Sequence, residues 1–156
     1  MKNGKLQVGI IGCGGIANQK HFVSLQGNAD KADLVAFCDV IEARAQESAV
    51  KYGVSEAKTY TDYRELLADP DIDVVHVLTP NVSHAPITIA AFEAGKHVLC
   101  EKPMAATASD AEQMMTAWKS SGKKFTVGYQ NRFRPEVQSL HKACANGELG
   151  EIYYAE

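Results

Sequence analysis

The 156-residue chain lacks the features that define several large classes of protein. It has no apolar run near the roughly 18 residues that a membrane-spanning helix needs, so we expect no membrane partner. It has no cluster of Lys and Arg to offset its net charge of −3, which argues against nucleic acid as a partner. Its four cysteines include no C-x-x-C pair and no histidine stands at metal-ligand spacing, so the sequence predicts no metal site.

The composition and the first residues indicate an ordinary globular protein of the cytoplasm. The chain is 46% hydrophobic and 22% charged, and it is long enough to bury one substantial core. We find no signal peptide, because Lys2 and Lys5 precede an apolar run that glycines interrupt at once. Scattered cysteines are typical of the reducing cytoplasm, where thiols stay free.

Short apolar segments alternate with amphipathic segments along the whole chain, which predicts an α/β fold. The predicted strands are 6–11, 34–39, 58–60, 73–78, 97–100 and 125–129. The predicted helices cover about 15–25, 42–52, 62–67, 84–94, a stretch that begins at 107, and 135–146. Because right-handed crossovers join such units, we expect a doubly wound parallel sheet with helices on both faces.

A glycine-rich turn follows the first predicted strand and opens the first predicted helix. Gly12-x-Gly14-x-x-Ala17 fits the G-x-G-x-x-G/A pattern of Rossmann-type dinucleotide-binding domains. In that pattern the first glycine turns the chain, the second admits a pyrophosphate, and a small third residue lets helix and strand pack closely. The same helix N-terminus predicts a lowered pKa for the Cys13 thiol, which would make it a reactive liability.

The second predicted strand ends in an acidic residue, Asp39, which lies 27 positions beyond Gly12. A carboxylate there accepts hydrogen bonds from the adenosine ribose and repels a 2′-phosphate, so the sequence favours NAD over NADP. Arg44 lies downstream and could serve such a phosphate. The alternative is that Asp39 only ends the strand and begins a turn.

Three further clusters follow predicted strands, where open α/β sheets bind ligands. They are Thr79-Pro80-Asn81 with His84, Glu101-Lys102-Pro103, and Gln130-Asn131-Arg132. Lys102 follows a buried strand and precedes a proline that restricts its backbone. Its ammonium could hydrogen-bond a substrate hydroxyl and favour the alkoxide during hydride transfer, or it could be an ordinary solvated lysine.

The histidines carry weaker signals. His84 could contact the nicotinamide half of a cofactor or could simply occupy the first turn of its helix. His76 lies within a strand, so we expect a buried structural residue. His21 lies one turn beyond the glycine loop, where packing is the expected role.

In this order, the glycine loop, Asp39, Thr79-Pro80-Asn81-x-x-His84 and Glu101-Lys102-Pro103 resemble the glucose-fructose oxidoreductase/inositol dehydrogenase/MocA (Gfo/Idh/MocA) family over essentially the whole chain. The resemblance implies a two-domain NAD(P)-dependent enzyme that oxidises or reduces a carbon of a sugar, polyol or inositol. It also implies that the full-length protein is a homo-oligomer formed through the second domain.

The resemblance further implies a row of cofactor contacts with a catalytic lysine at its end. The contacts are Gly12, Gly14, Gly15 and Ile16 at the pyrophosphate, Asp39 at the adenosine ribose, Thr79, Pro80, Asn81 and His84 on the nicotinamide side, and Glu101 beside the nicotinamide ribose with Lys102 next to it. Lys102 would also touch the substrate as the catalytic group.

The sequence therefore predicts two domains. Residues 1–146 form the dinucleotide-binding domain, whose last helix should bury Val137, Leu140 and Cys144. A new strand is predicted at 152–155, and we interpret 147–156 as the start of a truncated α+β domain for substrate and oligomerisation, because such a strand would otherwise end the chain as an unpaired edge.

The predicted function is the NAD(P)-binding half of a sugar or polyol dehydrogenase. We expect the chain alone to be inactive, because the family's proton-transferring histidine, within an Asp-x-x-x-His pattern, has no counterpart in it. A non-catalytic NAD(H) sensor is the main alternative. A methyltransferase fits less well, since those enzymes usually carry an acidic residue just ahead of the glycines, where this chain has Ile10-Ile11.

Overall fold

A six-stranded, fully parallel sheet organises the computed structural model, which describes residues 1–154. The strands lie side by side in the order β3-β2-β1-β4-β5-β6. Their bounds are β1 Leu6–Ile11, β2 Ala32–Cys38, β3 Lys58–Tyr60, β4 Val74–Val77, β5 His97–Cys100 and β6 Phe125–Val127. The order reverses between β1 and β4, the type of switch point at which such sheets open a crevice for ligands.

Helices connect the strands, as the alternation predicted. They are α1 Phe22–Gln26, α2 Glu42–Tyr52, α3 Tyr63–Ala68, α4 His84–Glu93, α5 Ala108–Ser121 and α6 Pro135–Ala145. A π-helical turn, Ala17–His21, precedes α1, and short 3-10 turns precede α4 and α6. The predicted doubly wound α/β fold is confirmed.

Two apolar clusters, one including Val8, Ile10 and Phe37 and the other including Val75 and Val77, form the core. Side chains alternate between the faces of a strand, so strands covered on both sides are apolar at most positions. This packing holds the carboxyl ends of the strands in one row.

The last helix differs from the prediction in its packing. α6 is present, but Val137 is 37% exposed, Leu140 is 57% exposed and Cys144 is also exposed. The expected burial of these three side chains is therefore wrong for this structure. Residue spacing shows which face of a helix is apolar, whereas burial also needs an opposing element, and no element within residues 1–154 covers this face.

Two other expectations concern chain ends and membranes. Residues 152–154 form no strand, while Ala155, the last residue of the strand predicted there, lies outside the described residues. No helix within the described part of the chain is long and apolar enough to cross a membrane.

Candidate dinucleotide site

The carboxyl ends of neighbouring strands bring the predicted motifs to one edge of the sheet. Asp39 follows β2, Gly12 follows β1, Thr79 lies beyond β4 and Glu101 follows β5. Two of the cavities at this edge are lined by residues of the predicted motifs beyond the glycine loop. The first, of about 600 Å³, is lined by Gly12, Gly14, Gly15, Asp39, Thr79 and Pro80 among others. The second, of about 690 Å³, is lined by Ile16, His21, His76, Glu101, Lys102 and Asn131 among others.

The glycines of the loop have different reasons to be glycine. Gly12 has a φ of +98°, and a Cβ built there would lie 2.8 Å from the carbonyl carbon of Leu78, so the protein itself requires glycine. Gly14 has no left-handed φ, and a Cβ built there would meet no protein atom within 4 Å. Within residues 1–154, no contact and no backbone angle requires glycine at position 14. Its missing Cβ leaves open space at a helix N-terminus, which fits the close approach of a pyrophosphate.

The loop is held in shape before any ligand binds. The Asn18 side-chain amide donates 3.0 Å hydrogen bonds to the carbonyl oxygens of Cys13 and Gly14. Ala17 is fully buried against the core, as its small size predicted. Sequence reasoning missed Asn18, although asparagine near the start of a helix commonly bonds nearby backbone groups.

Asp39 braces the same loop from the neighbouring strand. Its Oδ2 accepts a 2.9 Å hydrogen bond from the backbone N–H of Cys13, and its Oδ1 accepts one of 2.9 Å from that of Ile41. Each carboxylate oxygen has a second lone pair, so the group can still accept bonds from a ribose. The bracing bond is an additional function of Asp39 that the sequence did not reveal.

Cys13 is not an activated thiol. Burial raises its pKa to about 12, and the charge of Asp39 adds to that shift, although a hydrogen bond with Ser48 opposes it. The predicted lowering by the helix N-terminus is therefore wrong, because loss of water around the thiolate is the larger effect.

His84 is fully buried and joins two loops. Its Nε2 lies 2.8 Å from the carbonyl oxygen of Thr79, and its Nδ1 lies 2.8 Å from that of Pro103. The ring therefore serves the protein, and the expected direct contact of this ring with a cofactor does not fit the structure. Asn81 is exposed, and neither it nor His84 lines the two cavities.

Lys102 lies at the second cavity with an exposed side chain. Its backbone N–H donates a 2.9 Å hydrogen bond to Oε2 of Glu101. Within residues 1–154 its ammonium group joins no hydrogen bond or ion pair with the protein. This leaves a cation available to a ligand oxygen.

Two histidines lie behind Glu101. His21 Nε2 is 2.9 Å from Glu101 Oε1, and the His21 ring meets that of His76 at 5.5 Å between centroids. Burial, reinforced by His21, lowers the pKa of His76 to about 3. His76 is buried as predicted, whereas His21 contacts a site residue rather than only packing. No three His, Cys, Asp or Glu side chains among the described residues are grouped to hold a metal ion.

A parallel sheet with a glycine loop at its switch point and an acidic residue after the next strand defines a Rossmann-type dinucleotide-binding domain. Residues 6–129 match the Gfo/Idh/MocA family, described as an oxidoreductase family with an NAD-binding Rossmann fold. The chain belongs to this family, and the resemblance seen in its motifs is confirmed.

The chain is similar in sequence to curated sugar and inositol dehydrogenases. The chain is 39% identical over 153 residues to D-glucoside 3-dehydrogenase of Escherichia coli K12, covering 98% of this chain and 43% of that protein. It is 36% identical over 147 residues to inositol 2-dehydrogenase of Salmonella typhimurium, covering 94% of this chain and 43% of that protein. The chain thus spans less than half the length of these relatives.

Two solved structures share this fold, one in complex with NADH and the other in complex with NADP. The WlbA dehydrogenase of Chromobacterium violaceum, in complex with NADH and UDP-GlcNAcA, aligns with a TM-score of 0.90 at 33% identity, over 98% of this chain and 43% of that one. A mutant 3-ketoreductase of Actinomadura kijaniata, in complex with TDP-benzene and NADP, aligns with a TM-score of 0.84 at 27% identity, over 95% and 44%.

Proposed function

We propose that this chain binds NAD(H) along the carboxyl edge of its sheet and supplies Lys102 for hydride transfer to or from a sugar, polyol or inositol-type substrate. The adenosine ribose would lie at Asp39, the pyrophosphate at Gly12, Gly14, Gly15 and Ile16, and the nicotinamide beyond Thr79, Pro80 and Asn81, near Glu101. The open space at Gly14 is the observation that carries the proposal. Packing does not explain this glycine, and its place at a helix N-terminus after the first strand supports the close approach of a pyrophosphate.

Lys102 suits the chemistry at the second cavity. The bound cofactor would accept or supply the hydride. The Lys102 ammonium would donate a hydrogen bond to the reacting hydroxyl oxygen of the substrate and stabilise the alkoxide as its proton leaves. Glu101 holds the backbone of Lys102 beside that position through its 2.9 Å bond to the Lys102 N–H.

A second proton-transfer group is needed, and this chain does not supply the family's pattern for it. None of the five histidines follows an aspartate by four positions. We therefore propose that the chain alone binds cofactor but turns over little or nothing. The family resemblance supports the further proposal that the active protein is a homo-oligomer, and the scattered cysteines support a location in the cytoplasm. NAD is the proposed cofactor because the carboxylate of Asp39 would repel a 2′-phosphate.

Calorimetric titration with NADH and NADPH, together with assays of turnover on myo-inositol and a methyl glucoside, tests this proposal. We expect tighter binding of NADH and no sustained turnover by this chain. Lys102→Met should weaken the binding of NADH only modestly, because the main role proposed for the lysine is its contact with the substrate. Failure to bind either cofactor would refute the proposal, and turnover at rates usual for a dehydrogenase would refute the claim of inactivity.

A further inference from the structure

Two parts of the fold that are remote in sequence, together with the backbone of the next residue, surround the carboxylate of Glu101. Oε1 lies 2.9 Å from Nε2 of His21, in the π-helical turn after the glycine loop. Oε2 accepts a bond from the backbone N–H of Lys102. Gly128, just after β6, leaves room for the group, since a Cβ built there would lie 3.1 Å from Oε1. Each oxygen thus has one protein donor, and the carboxylate is confined from a third direction.

The ring of His21 is itself held firmly. It meets the ring of His76 nearly edge to face, at an interplanar angle of 79°. His76 is uncharged at neutral pH, because its pKa is so low, and therefore offers no competing charge. The side chains of His21 and Glu101 are 12% and 13% exposed. An ionised carboxylate only accepts hydrogen bonds, so His21 Nε2–H is the donor in a largely shielded pair.

We propose that His21 is a positioning residue that orients Glu101 as the acceptor for the hydroxyl groups of the nicotinamide-side ribose. This inference rests on the proposed function, since it assumes that a nicotinamide cofactor binds at this edge. Glu101 lines the second cavity, and each of its oxygens keeps a lone pair beyond the one that the protein uses. A carboxylate oriented in advance loses less conformational entropy when a ligand arrives, so its orientation adds to affinity.

Binding of NADH, ADP-ribose and ADP, three ligands of decreasing length, shows which part of the cofactor depends on His21. ADP-ribose keeps the second ribose and lacks nicotinamide, whereas ADP lacks both. His21→Phe keeps an aromatic ring against His76 and removes the Nε2 donor. It should weaken NADH and ADP-ribose by about three- to tenfold, the range for one hydrogen bond, and leave ADP within about twofold. Calorimetry on the same preparations gives all three constants.

A second substitution, His21→Gln, distinguishes a role of His21 in orienting Glu101 from a role in packing alone. His21→Gln places an amide N–H within reach of Oε1 and should restore most of the affinity for ADP-ribose. His141→Phe makes the same change at an exposed histidine of α6 that lines neither of these cavities, and should alter none of the three constants. If glutamine binds ADP-ribose as weakly as phenylalanine does, the proposed hydrogen bond is refuted.

Gly128→Ala tests the same carboxylate without touching the histidine. Gly128 has no left-handed φ, so alanine suits its backbone, and the new methyl group must displace Oε1 by a few tenths of an ångström. The expected pattern is again weaker NADH and ADP-ribose with unchanged ADP. If His21→Phe does not fold, this variant still tests whether the position of the Glu101 carboxylate sets the affinity for ADP-ribose, and unchanged binding would overturn the proposal.

The failures are distinguishable. Equal weakening of all three ligands, weakening of NADH alone, or unchanged binding of ADP-ribose in both variants would overturn the role of His21 and Gly128. Absence of binding of NADH and NADPH by the wild-type protein would instead refute the proposed function.

Discussion

Substitution by alanine should have opposite effects at Gly12 and Gly14. At Gly12 it should reduce the stability of the fold, and at Gly14 it should reduce the affinity for the cofactor. At Gly12 the left-handed φ of +98° costs alanine roughly 1–2 kcal/mol. The added methyl group would also lie 2.8 Å from backbone atoms of Leu78, and relieving such crowding costs typically about 1–3 kcal/mol. Gly12→Ala should therefore lower the free energy of unfolding by about 2–5 kcal/mol, which corresponds to a fall in Tm of roughly 4–20 °C for a chain of this size.

At Gly14 the methyl group enters open space instead. Because no protein atom lies within 4 Å and φ is not left-handed, Gly14→Ala should change the free energy of unfolding by less than about 1 kcal/mol. Gly14→Ala should instead reduce the affinity for the cofactor, because the pyrophosphate must approach the same backbone. If that crowding also amounts to about 1–3 kcal/mol, the affinity for NADH falls by about 5- to 150-fold.

Thermal unfolding and calorimetric titration of the two variants, prepared side by side, check both predictions. Each variant serves as the control for the other, since the substitution is identical and the positions are two residues apart. Loss of stability in Gly14→Ala comparable to that in Gly12→Ala would refute the claim that the protein does not need this glycine. Unchanged affinity for NADH in a stable Gly14→Ala would refute the placement of the pyrophosphate.

Further predictions concern stability and thiol chemistry. Native protein should react with iodoacetamide at Cys144 alone, as mass spectrometry would show, because burial raises the pKa of the other thiols, to about 12 for Cys13, about 12 for Cys38 and about 11 for Cys100. Burial raises the pKa of Asp69, but hydrogen bonds from Lys58 and other donors outweigh it and hold the pKa below 3.8. The unfolded chain therefore binds this proton first, so stability should fall as the pH drops below about 4, and Asp69→Asn should flatten that fall in urea titrations. His84→Phe should lower the free energy of unfolding by about 1–3 kcal/mol, because the fully buried ring then no longer donates a hydrogen bond to the carbonyl oxygen of Thr79 or Pro103; an unchanged unfolding curve would contradict this.

Local patterns predicted the elements of the fold well. β1 and α2 have the predicted bounds, Leu6–Ile11 and Glu42–Tyr52, because a mostly apolar segment and a helical spacing of apolar residues both end at glycines. β2 begins earlier than predicted, at Ala32, where parallel pairing with Leu6 extends the ladder beyond the apolar run. Such pairing is a property of two strands and is not visible in one of them.

The site was predictable in position but not in its internal contacts. Glycines, Asp39 and Lys102 were found because they follow strands, and parallel strands place their carboxyl ends at one edge. The bond between His21 and Glu101 joins residues 80 positions apart, and no spacing rule connects them. The burial of His84 depends likewise on Pro103, which comes from a different loop.

The choice between NAD and NADP depends on Asp39, and its bracing of the glycine loop changes how that choice must be measured. Asp39→Asn loses a bond to the Cys13 or Ile41 N–H as well as the negative charge, because an amide nitrogen cannot accept a hydrogen bond, so both cofactors should bind more weakly. The loss of the hydrogen bond to the loop should weaken both cofactors by the same factor. The ratio of the NADPH and NADH affinities therefore reports only the effect of the lost negative charge. Two unit charges about 4 Å apart near a protein surface interact by roughly 4 kcal/mol, so screening still leaves about a tenfold or larger shift in this ratio.

Asp39→Asn should therefore shift the ratio toward NADPH by about tenfold or more, even though both affinities fall. Arg44 is exposed and lines the same cavity as Asp39. It is therefore the basic side chain that we expect to contact the 2′-phosphate of NADPH. Adding Arg44→Ala to Asp39→Asn should reduce the affinity for NADPH more than that for NADH. If Asp39→Asn weakens both cofactors equally, the carboxylate serves only to hold the loop, and the preference for NAD has to arise elsewhere.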